Sequence, residues 1–556
     1  MNVCEALLET LSQYGVRFIF GIPGDAINDL IEAIRKQDKI KFIHVMHEES
    51  GAFAASAQAK LSGTLAVCVG TAGPGAIHLL NGLYDAKKDH APVLAITGQT
   101  ETMHLGSNTH QEVNLNALFE DVAVYNQMFI DPAQMPALVI AACQAAVALN
   151  AVAHINLPAN IASLKIKSLG SHKNFEVNDS NLVPHDKNLQ EAVSLINKAK
   201  KLCILVGIGA RGAVNELLQF AEVLQAPIIK ALRGKDVLSD MHPFVLGGIG
   251  LLGTSTSYKA IKNCDLLITI GSDLPYAEFY PGENVPVIQI DKVAQQIGKR
   301  HPATVALVGD SRLTLIKLLE LISKKEDNTF LKECQEHKIQ WIKLQEEKEL
   351  SDAIPIHPQM LARSISDFAD DNAVICCDTG AVTVWGARNF RLKGTQRFTL
   401  SGGLASMAYA LPASIGAKLM YPDRQVIALC GDGGFAMLMC DFATAVKYRL
   451  NIKVFIFNNS KLGLIQMEEE AKSGNPEYET DLNNPDYALF AEGCGGEGFT
   501  VKDPVDLKRI LPIVLNSTKA CIVNVLINPH ELTLPPKINA SEAFNFVKAK
   551  VKEAFM

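Results

Sequence analysis

An Asp-Gly-Gly turn and a pair of asparagines follow two consecutive aliphatic runs late in the chain. The run VIALC ends at Gly431-Asp432-Gly433-Gly434, and the run KVFIF ends at Asn458-Asn459, 27 residues after Asp432. Such runs predict neighbouring parallel strands, whose carboxyl ends bind ligands in α/β folds. Carboxylate and amide oxygens suit Mg²⁺, and glycines let a phosphate approach the backbone. The spacing therefore favours a diphosphate–magnesium site over two ordinary turns.

A second candidate is an acidic residue at the start of a predicted helix. His47-Glu48-Glu49 follows the run IKFIHVM and precedes an Ala-rich stretch. A carboxyl group in an apolar pocket has a raised pKa and can share a proton with a ring nitrogen. The alternative is a solvated glutamate that stabilises the helix dipole, which suits Glu49.

Together, these motifs resemble those of the thiamine diphosphate (ThDP)-dependent enzymes, and the resemblance covers nearly the whole chain. It implies three domains in the order pyrimidine-binding, central and diphosphate-binding. It also implies that Asp432, Asn459 and the main-chain carbonyl of Lys461 hold Mg²⁺. Glu48 would bond N1′ of the aminopyrimidine and so drive the tautomer that removes the C2 proton of the thiazolium.

The resemblance extends to other segments of the diphosphate-binding domain. GGLASMAYALPASIGA at 402–417 is similar to the segment that places a large aliphatic side chain beneath the cofactor, and Met407 takes that position. A core methionine is the alternative. The implied ThDP-binding residues are Thr379, Gly380, Ala405, Ser406, Met407, Asp432, Gly433, Gly434, Asn459, Leu462, Gly463, Leu464 and Ile465.

Four residues are implied to be catalytic, namely Glu48, His78, Gln111 and Glu468. His78 follows Gly73-Pro74-Gly75 at a position where pyruvate oxidases carry a histidine near the substrate; a buried helix histidine is the alternative. Next to Gln111, His110 replaces a phenylalanine that is common in the family, which leaves the substrate choice open.

The middle of the chain carries Gly207-x-Gly209-x-x-Gly212 after the run LCILV. An NAD site of this type needs an acidic residue about 20 residues later at a strand end, and the chain lacks one. The resemblance instead implies FAD. The implied FAD-binding residues are Gly209, Arg211, Arg233, Gly250, Leu251, Leu252, Gly253, Asp273, Leu274, Pro275, Tyr276, Ala277 and Asp291. Arg233 and Asp291 could instead be ion-pair residues.

Three features favour the pyruvate oxidase (quinone-dependent pyruvate dehydrogenase) branch over acetolactate synthases. Glu468 stands where acetolactate synthases carry a tryptophan, the segment DLPYAEFYPGE lacks their arginine, and ALRGKD, GLLG and ELTLPP resemble the quinone-linked enzyme. This branch implies oxidative decarboxylation of pyruvate to acetate or acetyl phosphate and CO₂ through hydroxyethyl-ThDP. Electrons would pass to FAD and then to a quinone or O₂.

Two other functions remain as alternatives. One is acetolactate synthesis with a structural FAD. The other, of a different class, is a non-catalytic regulator or scaffold that retains the fold. The presence of Glu48, Asp432 and Asn459 argues against the second.

The pattern of aliphatic runs and helical stretches predicts an α/β fold with three doubly wound parallel-sheet domains. We expect the pyrimidine-binding domain at 1–167, the central FAD-binding domain at 188–325, the diphosphate-binding domain at 356–528 and a short tail at 529–556. Residues 168–187 are polar and predict a linker, and the charged run before residue 351 predicts a connecting helix.

The composition of this 556-residue chain excludes some classes of binding partner. Its net charge of −7 argues against nucleic acid, and no run approaches the roughly 20 apolar residues that span a bilayer. The N-terminus lacks signal-peptide features, so we expect a cytoplasmic protein. The resemblance implies a homo-oligomer, a dimer of dimers with active sites at the subunit interface. The tail FNFVKAKVKEAFM predicts either a helix lying on the inner face of the membrane or, as we favour, a helix that caps the dimer.

Overall fold

The computed structural model describes residues 1–166, 182–531 and 540–554. Its first unit is a six-stranded parallel sheet in the order β2-β1-β3-β4-β6-β5, covered by eight helices. The strands are β1 (Phe18–Gly21), β2 (Lys41–His44), β3 (Ala66–Gly70), β4 (Val93–Gln99), β5 (Tyr125–Met128) and β6 (Val152–Pro158). The helices are α1 (Val3–Gln13), α2 (Asn28–Arg35), α3 (Glu48–Ser62), α4 (Pro74–His78), α5 (Leu80–Lys88), α6 (Leu115–Leu118), α7 (Ala137–Leu149) and α8 (Ala159–Ala162).

The second unit is also a six-stranded parallel sheet, in the order β12-β11-β10-β7-β8-β9. Its strands are β7 (Leu202–Val206), β8 (Ile228–Lys230), β9 (Val245–Gly248), β10 (Leu266–Ile270), β11 (Val287–Asp291) and β12 (Val305–Val308). Its helices are α9 (Asp186–Lys198), α10 (Val214–Leu224), α11 (Ser255–Asn263), α12 (Ser311–Leu321) and the connecting helix α13 (Thr329–Glu349).

The third unit repeats the strand order of the first, as β14-β13-β15-β16-β18-β17, and all its strands are parallel. The strands are β13 (Val374–Cys377), β14 (Arg397–Leu400), β15 (Val426–Gly431), β16 (Ile452–Asn458), β17 (Glu497–Val501) and β18 (Cys521–Leu526). The helices are α14 (Pro358–Phe368), α15 (Ala381–Arg388), α16 (Ala410–Met420), α17 (Asp432–Leu438), α18 (Phe442–Lys447), α19 (Gly463–Met467), α20 (Tyr487–Gly493), α21 (Pro504–Asn516) and α22 (Ala540–Ala554). A π-helical turn, Glu468–Ser473, continues α19.

The inner strands are aliphatic because both faces of each sheet are covered by helices. Every residue of β4 and β16 is buried, as is all of β15 apart from its last glycine. Such strands show continuous apolar runs instead of alternation, which is why the sequence predicted them. The prediction of three parallel α/β units is confirmed.

Each sheet has one point where the chain connections leave in opposite directions from two adjacent strands. These points lie between β1 and β3, between β7 and β10, and between β13 and β15. Because the loops on either side diverge, a crevice opens outside the carboxyl ends of the two strands, and ligands bind in such crevices. The fold therefore offers three candidate ligand crevices.

The sequence predictions were less complete at the ends of the units. The predicted linker overlaps the start of α9 at Asp186, and residues 168–181 of that linker lie outside the described residues. The tail forms a helix, as predicted, but α22 packs on the π-helical turn of its own chain, where Lys550 lies 2.8 Å from Glu470. The LPPKI segment before it falls outside the described residues. Within 1–166, 182–531 and 540–554, no helix combines the length and apolar character that crossing a membrane requires.

The fully buried strand β15 gives a direct test of the core. We expect Leu429→Ala, at a side chain with no exposure, to destabilise the protein by about 2–5 kcal/mol, since it leaves a cavity. The matched control is Leu489→Ala on α20, where the side chain is 64% exposed and the expected effect is below about 0.5 kcal/mol. Thermal unfolding followed by circular dichroism measures both, and equal losses would contradict the assigned packing.

Candidate active site

Asp432 lies at the crevice of the third sheet, where β15 ends and α17 begins. Its side chain is buried, and its Oδ2 accepts hydrogen bonds from the Ser460 amide at 2.8 Å and from Asn484 Nδ2 at 2.7 Å. Burial raises the pKa of Asp432 to about 6, although these hydrogen bonds oppose the rise. No lysine or arginine in the described part of the chain forms an ion pair with it. A buried carboxylate without a counter-cation suits a bound divalent metal ion.

The residues after β16 complete an oxygen-rich turn beside Asp432. Asn459 follows this strand, and its Oδ1 accepts a hydrogen bond from the Lys461 amide at 3.3 Å. The Lys461 ammonium group is held by Glu477 and Asp481, so its main-chain carbonyl is the group that it can offer to a metal. The structure thus places the turn that carries Asn459 and Lys461 directly beside Asp432, and the chemistry of this donor set fits Mg²⁺.

The side-chain amide of Asn484 supports this turn and was not predicted from the sequence. Asn484 donates to Asp432 and also, at 3.1 Å, to Oδ1 of Asn458. The Tyr487 hydroxyl donates to the Asp432 carbonyl at 3.1 Å and to Asn484 Oδ1 at 3.0 Å. Asn484 lies in an irregular segment with no strand or helix pattern, so no local pattern marks it in the sequence.

The glycines of the Asp-Gly-Gly turn are required by close packing. A Cβ atom on Gly434 would lie 2.2 Å from Oδ2 of Asp378, which no structure tolerates. On Gly433 it would lie 3.0 Å from Cδ2 of Leu462 and 3.5 Å from Cε of Met407. The predicted ThDP-binding residues Met407, Gly433, Gly434 and Leu462 are therefore neighbours of Asp432.

Asp378 is a second buried acid at the same crevice, directly after β13. Its Oδ1 accepts the amides of Thr379 and Tyr409 at 2.9 and 3.1 Å, and no described group bonds its buried Oδ2. Burial raises the pKa of Asp378 to about 7. Its backbone leads into Thr379 and Gly380, and Gly380, with φ of 127°, precedes α15.

The segment before α16 carries the other predicted ThDP-binding residues. Ala405 and Ala408 have φ values of 59° and 69°, and Met407 lies between them. Non-glycine residues adopt this region only at a cost of about 1–3 kcal/mol each. Ser406 accepts a hydrogen bond from Asn81 of the first unit at 3.0 Å. We call residues 401–409 the Met407 loop.

On the first sheet, Glu48 is the first residue of α3 and is only 6% exposed. Its Oε2 lies 3.0 Å from Nδ1 of His78, the last residue of α4. The His78 ring stacks on His47 with centroids 4.4 Å apart. A Cβ on Gly75 would lie 3.0 Å from Glu48 Oε1, so the Gly-Pro-Gly turn gives Glu48 its space. The structure thus unites two of the four predicted catalytic residues.

The other two predicted catalytic residues, Gln111 and Glu468, differ in their distance from this pair along the fold. Gln111 has φ of 60°, and its carbonyl would lie 3.0 Å from a Cβ on Gly73, so it borders the same Gly-Pro-Gly turn. Glu468 begins the π-helical turn and pairs with Lys472 at 2.5 Å. Among the described residues, no hydrogen bond or ion pair joins Glu468 to Glu48. The predicted residues Gly463, Leu464 and Ile465 form the start of α19, and Ile465 is exposed.

The residues predicted to bind FAD gather at the carboxyl edge of the second sheet. Gly209 follows β7, and its Cβ would lie 2.8 Å from Cα of Gly271, which follows β10. This contact lies at the crevice between β7 and β10, where the strand order reverses. The remaining predicted residues follow or end strands β7, β8, β9, β10 and β11, namely Arg211, Arg233, Gly250, Leu251, Leu252, Gly253, Asp273, Leu274, Pro275, Tyr276, Ala277 and Asp291.

Several of these side chains already have partners. Arg211 lies 2.8 Å from Asp236, Arg233 3.1 Å from Asp89, and Asp273 2.8 Å from Arg300. Arg233 thus pairs with a buried carboxylate, whereas the alternative was a surface ion pair. Asp291 forms no ion pair with any described residue; its Oδ1 accepts the Val293 amide at 2.9 Å, and burial raises its pKa.

An arginine of the third unit supports the Gly250–Gly253 turn and was not predicted. Nε of Arg388, at the end of α15, donates to the carbonyls of Leu252 and Gly253 at 3.2 and 3.0 Å. Burial lowers the pKa of Arg388 to about 10. Helix α15 thus begins at the predicted ThDP turn and ends at a predicted FAD turn.

Comparison with known proteins gives three family matches that follow the three sheets. The models described as thiamine pyrophosphate enzyme N-terminal TPP binding domain, central domain and C-terminal TPP binding domain match residues 1–118, 189–318 and 378–525. Thiamine pyrophosphate and its abbreviation TPP are other names for ThDP.

Curated relatives align over most of the chain. The Bacillus subtilis protein YdaP, named as thiamine pyrophosphate-containing, is 43% identical over 99% of this chain and 96% of its own length. The pyruvate oxidase of Lactiplantibacillus plantarum is 32% identical over 89% of this chain and 83% of its own. The acetolactate synthase large subunit of Lactococcus lactis is 29% identical over 96% and 93%.

The raised pKa of Asp432 predicts a pH dependence for Mg²⁺-assisted binding of thiamine diphosphate. Because the carboxylate must lose its proton to bind the metal, affinity should weaken about tenfold per pH unit below about 6. Calorimetric titrations of the cofactor between pH 5 and 8 would measure this.

The diphosphate itself titrates, so the test is the difference between variants. In Asp432→Asn, Mg²⁺ should no longer strengthen cofactor binding, and the loss of affinity below about pH 6 that Asp432 causes should disappear. Asp506→Asn, at an exposed surface pair with Arg509, should keep both properties. Identical profiles in wild type and Asp432→Asn would refute the metal role.

Proposed function

Because the chain belongs to the thiamine pyrophosphate enzyme family, we propose that it oxidatively decarboxylates pyruvate. The products are acetate or acetyl phosphate and CO₂, and two electrons pass through bound FAD to a quinone or O₂. The observation that carries this choice is the contact between Glu48 and His78, because His78 stands where pyruvate oxidases place a histidine near the substrate. The similarity to a pyruvate oxidase over most of the chain supports it.

The metal turn would hold the diphosphate. Asp432, Asn459 and the Lys461 carbonyl supply oxygen ligands for Mg²⁺, and the Gly433–Gly434 backbone lets phosphate oxygens come close. When bound, the thiazolium of the cofactor supplies the electron sink that decarboxylation needs. Met407, next to Gly433, would support the cofactor from below.

The first unit would move the proton that starts the reaction. Glu48 is shielded from water, so it can share a proton with a ring nitrogen instead of remaining fully solvated. His78 orients Glu48 through Nδ1 while 42% of its own side chain is exposed. This arrangement gives Glu48 one neighbour that can exchange protons with the solvent or the substrate.

The crevice of the second sheet would bind FAD. The close contact of Gly209 with Gly271 leaves backbone without side chains at this crevice, as a dinucleotide diphosphate requires. Asp291 ends a strand at the same edge, and its carboxylate can accept hydrogen bonds from ribose hydroxyls. These features fit FAD and support its assignment as the electron acceptor.

We further propose a homo-oligomer, built as a dimer of dimers, in which Glu48 of one subunit serves the Asp432 turn of another. The resemblance to the family supports this arrangement, and we place the enzyme in the cytoplasm. Nucleic acid is not a proposed partner of this acidic chain. The packing of α22 on its own chain favours a capping role for the tail over contact with the inner face of the membrane.

Acetolactate synthesis is the rival activity, and a relative with that name supports it. The two reactions differ in their stoichiometry of pyruvate, CO₂ and electron acceptor. Oxidation yields one acetate and one CO₂ per pyruvate and reduces one acceptor by two electrons, whereas carboligation joins two pyruvates, releases one CO₂ and consumes no acceptor.

We expect pyruvate, with ThDP, Mg²⁺, FAD and either a soluble quinone or O₂, to give acetate and CO₂ in equal amounts with matching acceptor consumption. Added phosphate distinguishes acetyl phosphate from acetate. Chromatography of the products with an acceptor assay measures this balance. Acetolactate formed without acceptor consumption would refute the proposal, and a purified protein that fails to bind ThDP at millimolar Mg²⁺ would favour the scaffold alternative.

Glu48→Gln should lower turnover by about 10²–10⁴-fold, because the amide cannot share a proton with the aminopyrimidine. The affinity for ThDP should change by less than about tenfold, since the diphosphate turn lies on another sheet. Glu49→Gln, which alters the hydrogen bond to Asn81, is the matched control and should retain most of the activity. Parallel loss of binding and turnover in Glu48→Gln would contradict the assigned role.

A further inference from the structure

Asp89 lies where the three units of the chain meet. It follows α5 in the first unit, and its side chain is only 2% exposed. Each carboxylate oxygen accepts one backbone amide and faces one cation. Oδ1 accepts the Gly403 amide at 2.8 Å and lies 3.1 Å from Arg233 Nε, and Oδ2 accepts the Gly402 amide at 3.0 Å and lies 2.6 Å from Lys60 Nζ. One buried carboxylate therefore joins the first unit, the second unit and the Met407 loop.

The charges around Asp89 are balanced. Lys60, on the helix that begins with Glu48, also lies 2.7 Å from the buried Asp85, so two cations face two carboxylates. Burial opposes the ionisation of Asp89, but Lys60 and Arg233 outweigh it and hold its pKa below the usual range. The hydrogen bonds of such a fully paired carboxylate have fixed directions. Removing its charge costs free energy of folding, because it leaves buried cations without a partner.

The Met407 loop needs such an anchor. Its two positive-φ alanines flank Met407, and residues in this region persist only where their surroundings over-determine them. Asp89 holds the start of the loop through two amides, and Asp378 holds its end through the Tyr409 amide. Both attachments are buried carboxylates.

Asp89 also fixes the side chain of Arg233. The Arg233 Nη2 group donates to the Asp89 carbonyl at 2.6 Å, in addition to the side-chain pair. A Cβ on Gly402 would lie 2.5 Å from Cγ of Arg233, so the arginine stem lies directly against the start of the Met407 loop. The loop and the arginine cannot move independently.

We propose that Asp89 is a positioning residue that fixes the Met407 loop relative to Arg233, and thereby sets the geometry between the thiamine site and the flavin site. The flavin half of this inference rests on the proposed function. The thiamine half rests on family membership and on the contacts of the loop. Asp89 itself touches neither reacting group, so its effect is indirect.

The first test uses the protein without cofactors. In Asp89→Asn the amide can accept at only one atom, so we expect peptides covering 401–409 to exchange backbone hydrogens at least tenfold faster. Peptides covering 458–467, beside Asp432, should be unchanged. Mass spectrometry of hydrogen exchange reads both, and unchanged exchange at 401–409 would overturn the inference.

The second test uses the holoenzyme without substrate. We expect Asp89→Asn to slow exchange of the C2 proton of bound thiamine diphosphate at least tenfold, because small misplacements of a reacting group reduce rates strongly. The dissociation constant of the cofactor should stay within about threefold, since the diphosphate turn is untouched. Quenched-flow NMR measures the exchange, and a rate within twofold of wild type would overturn the inference.

Two further variants complete the design. Asp121→Asn alters an exposed pair with Lys87 in the same unit and should leave both exchange rates unchanged. Should Asp89→Asn fail to fold, Arg233→Met with Asp89→Asn removes one charge of each sign and leaves Lys60 paired with Asp85, and the same two measurements apply. Failure of wild-type enzyme to reduce its flavin with pyruvate would remove the proposed function, whereas the two exchange readouts would still decide the role of Asp89 at the thiamine site.

Discussion

The parallel alignment of every strand in the three sheets is the constraint from which the site follows. Parallel strands bring their carboxyl ends to one edge, and helices on both faces leave that edge as the place where polar groups can gather. At the reversal between β13 and β15 this edge carries Asp378 and Asp432, and at the reversal between β7 and β10 it carries Gly209 and Gly271. The chemistry is thus confined to positions that the aliphatic strands fix.

Burial of acidic groups has two different outcomes in this chain. Asp432 and Asp378 have no cationic partner among the described residues, and burial raises their pKa values. Asp89 is equally enclosed, but Lys60 and Arg233 hold its pKa low. Where the chain supplies its own cations, the buried acid forms ion pairs that connect the units. Where it supplies none, as at Asp432, a bound metal ion can compensate the negative charge.

Much of this could be predicted from the sequence, because the informative residues lie at the ends of strong aliphatic runs. The three sheets and the clustering of Asp432, Gly433 and Met407 are examples. The strand prediction was weaker at sheet edges. Strands β5, β9, β14 and β17, each at the edge of its sheet, are short and show little of the aliphatic pattern of the inner strands.

The contacts that join the three units could not be predicted from the sequence either. Asn484 supports Asp432 from an irregular segment, Arg388 holds the carbonyls of Leu252 and Gly253 from another unit, and Asp89 pairs with Arg233 144 residues away. No local pattern marks such residues, because their roles depend on how the separate sheets pack. Glu468, which the sequence predicts to be catalytic, pairs with Lys472 in the structure.

Reduction of the bound flavin by pyruvate tests the central claim most directly. The holoenzyme, loaded with ThDP, Mg²⁺ and FAD, is mixed anaerobically with pyruvate while the visible absorbance of the flavin is followed. We expect the flavin to bleach as CO₂ is released, with one pyruvate consumed per flavin in a single turnover. Release of CO₂ with the flavin still oxidised would contradict it.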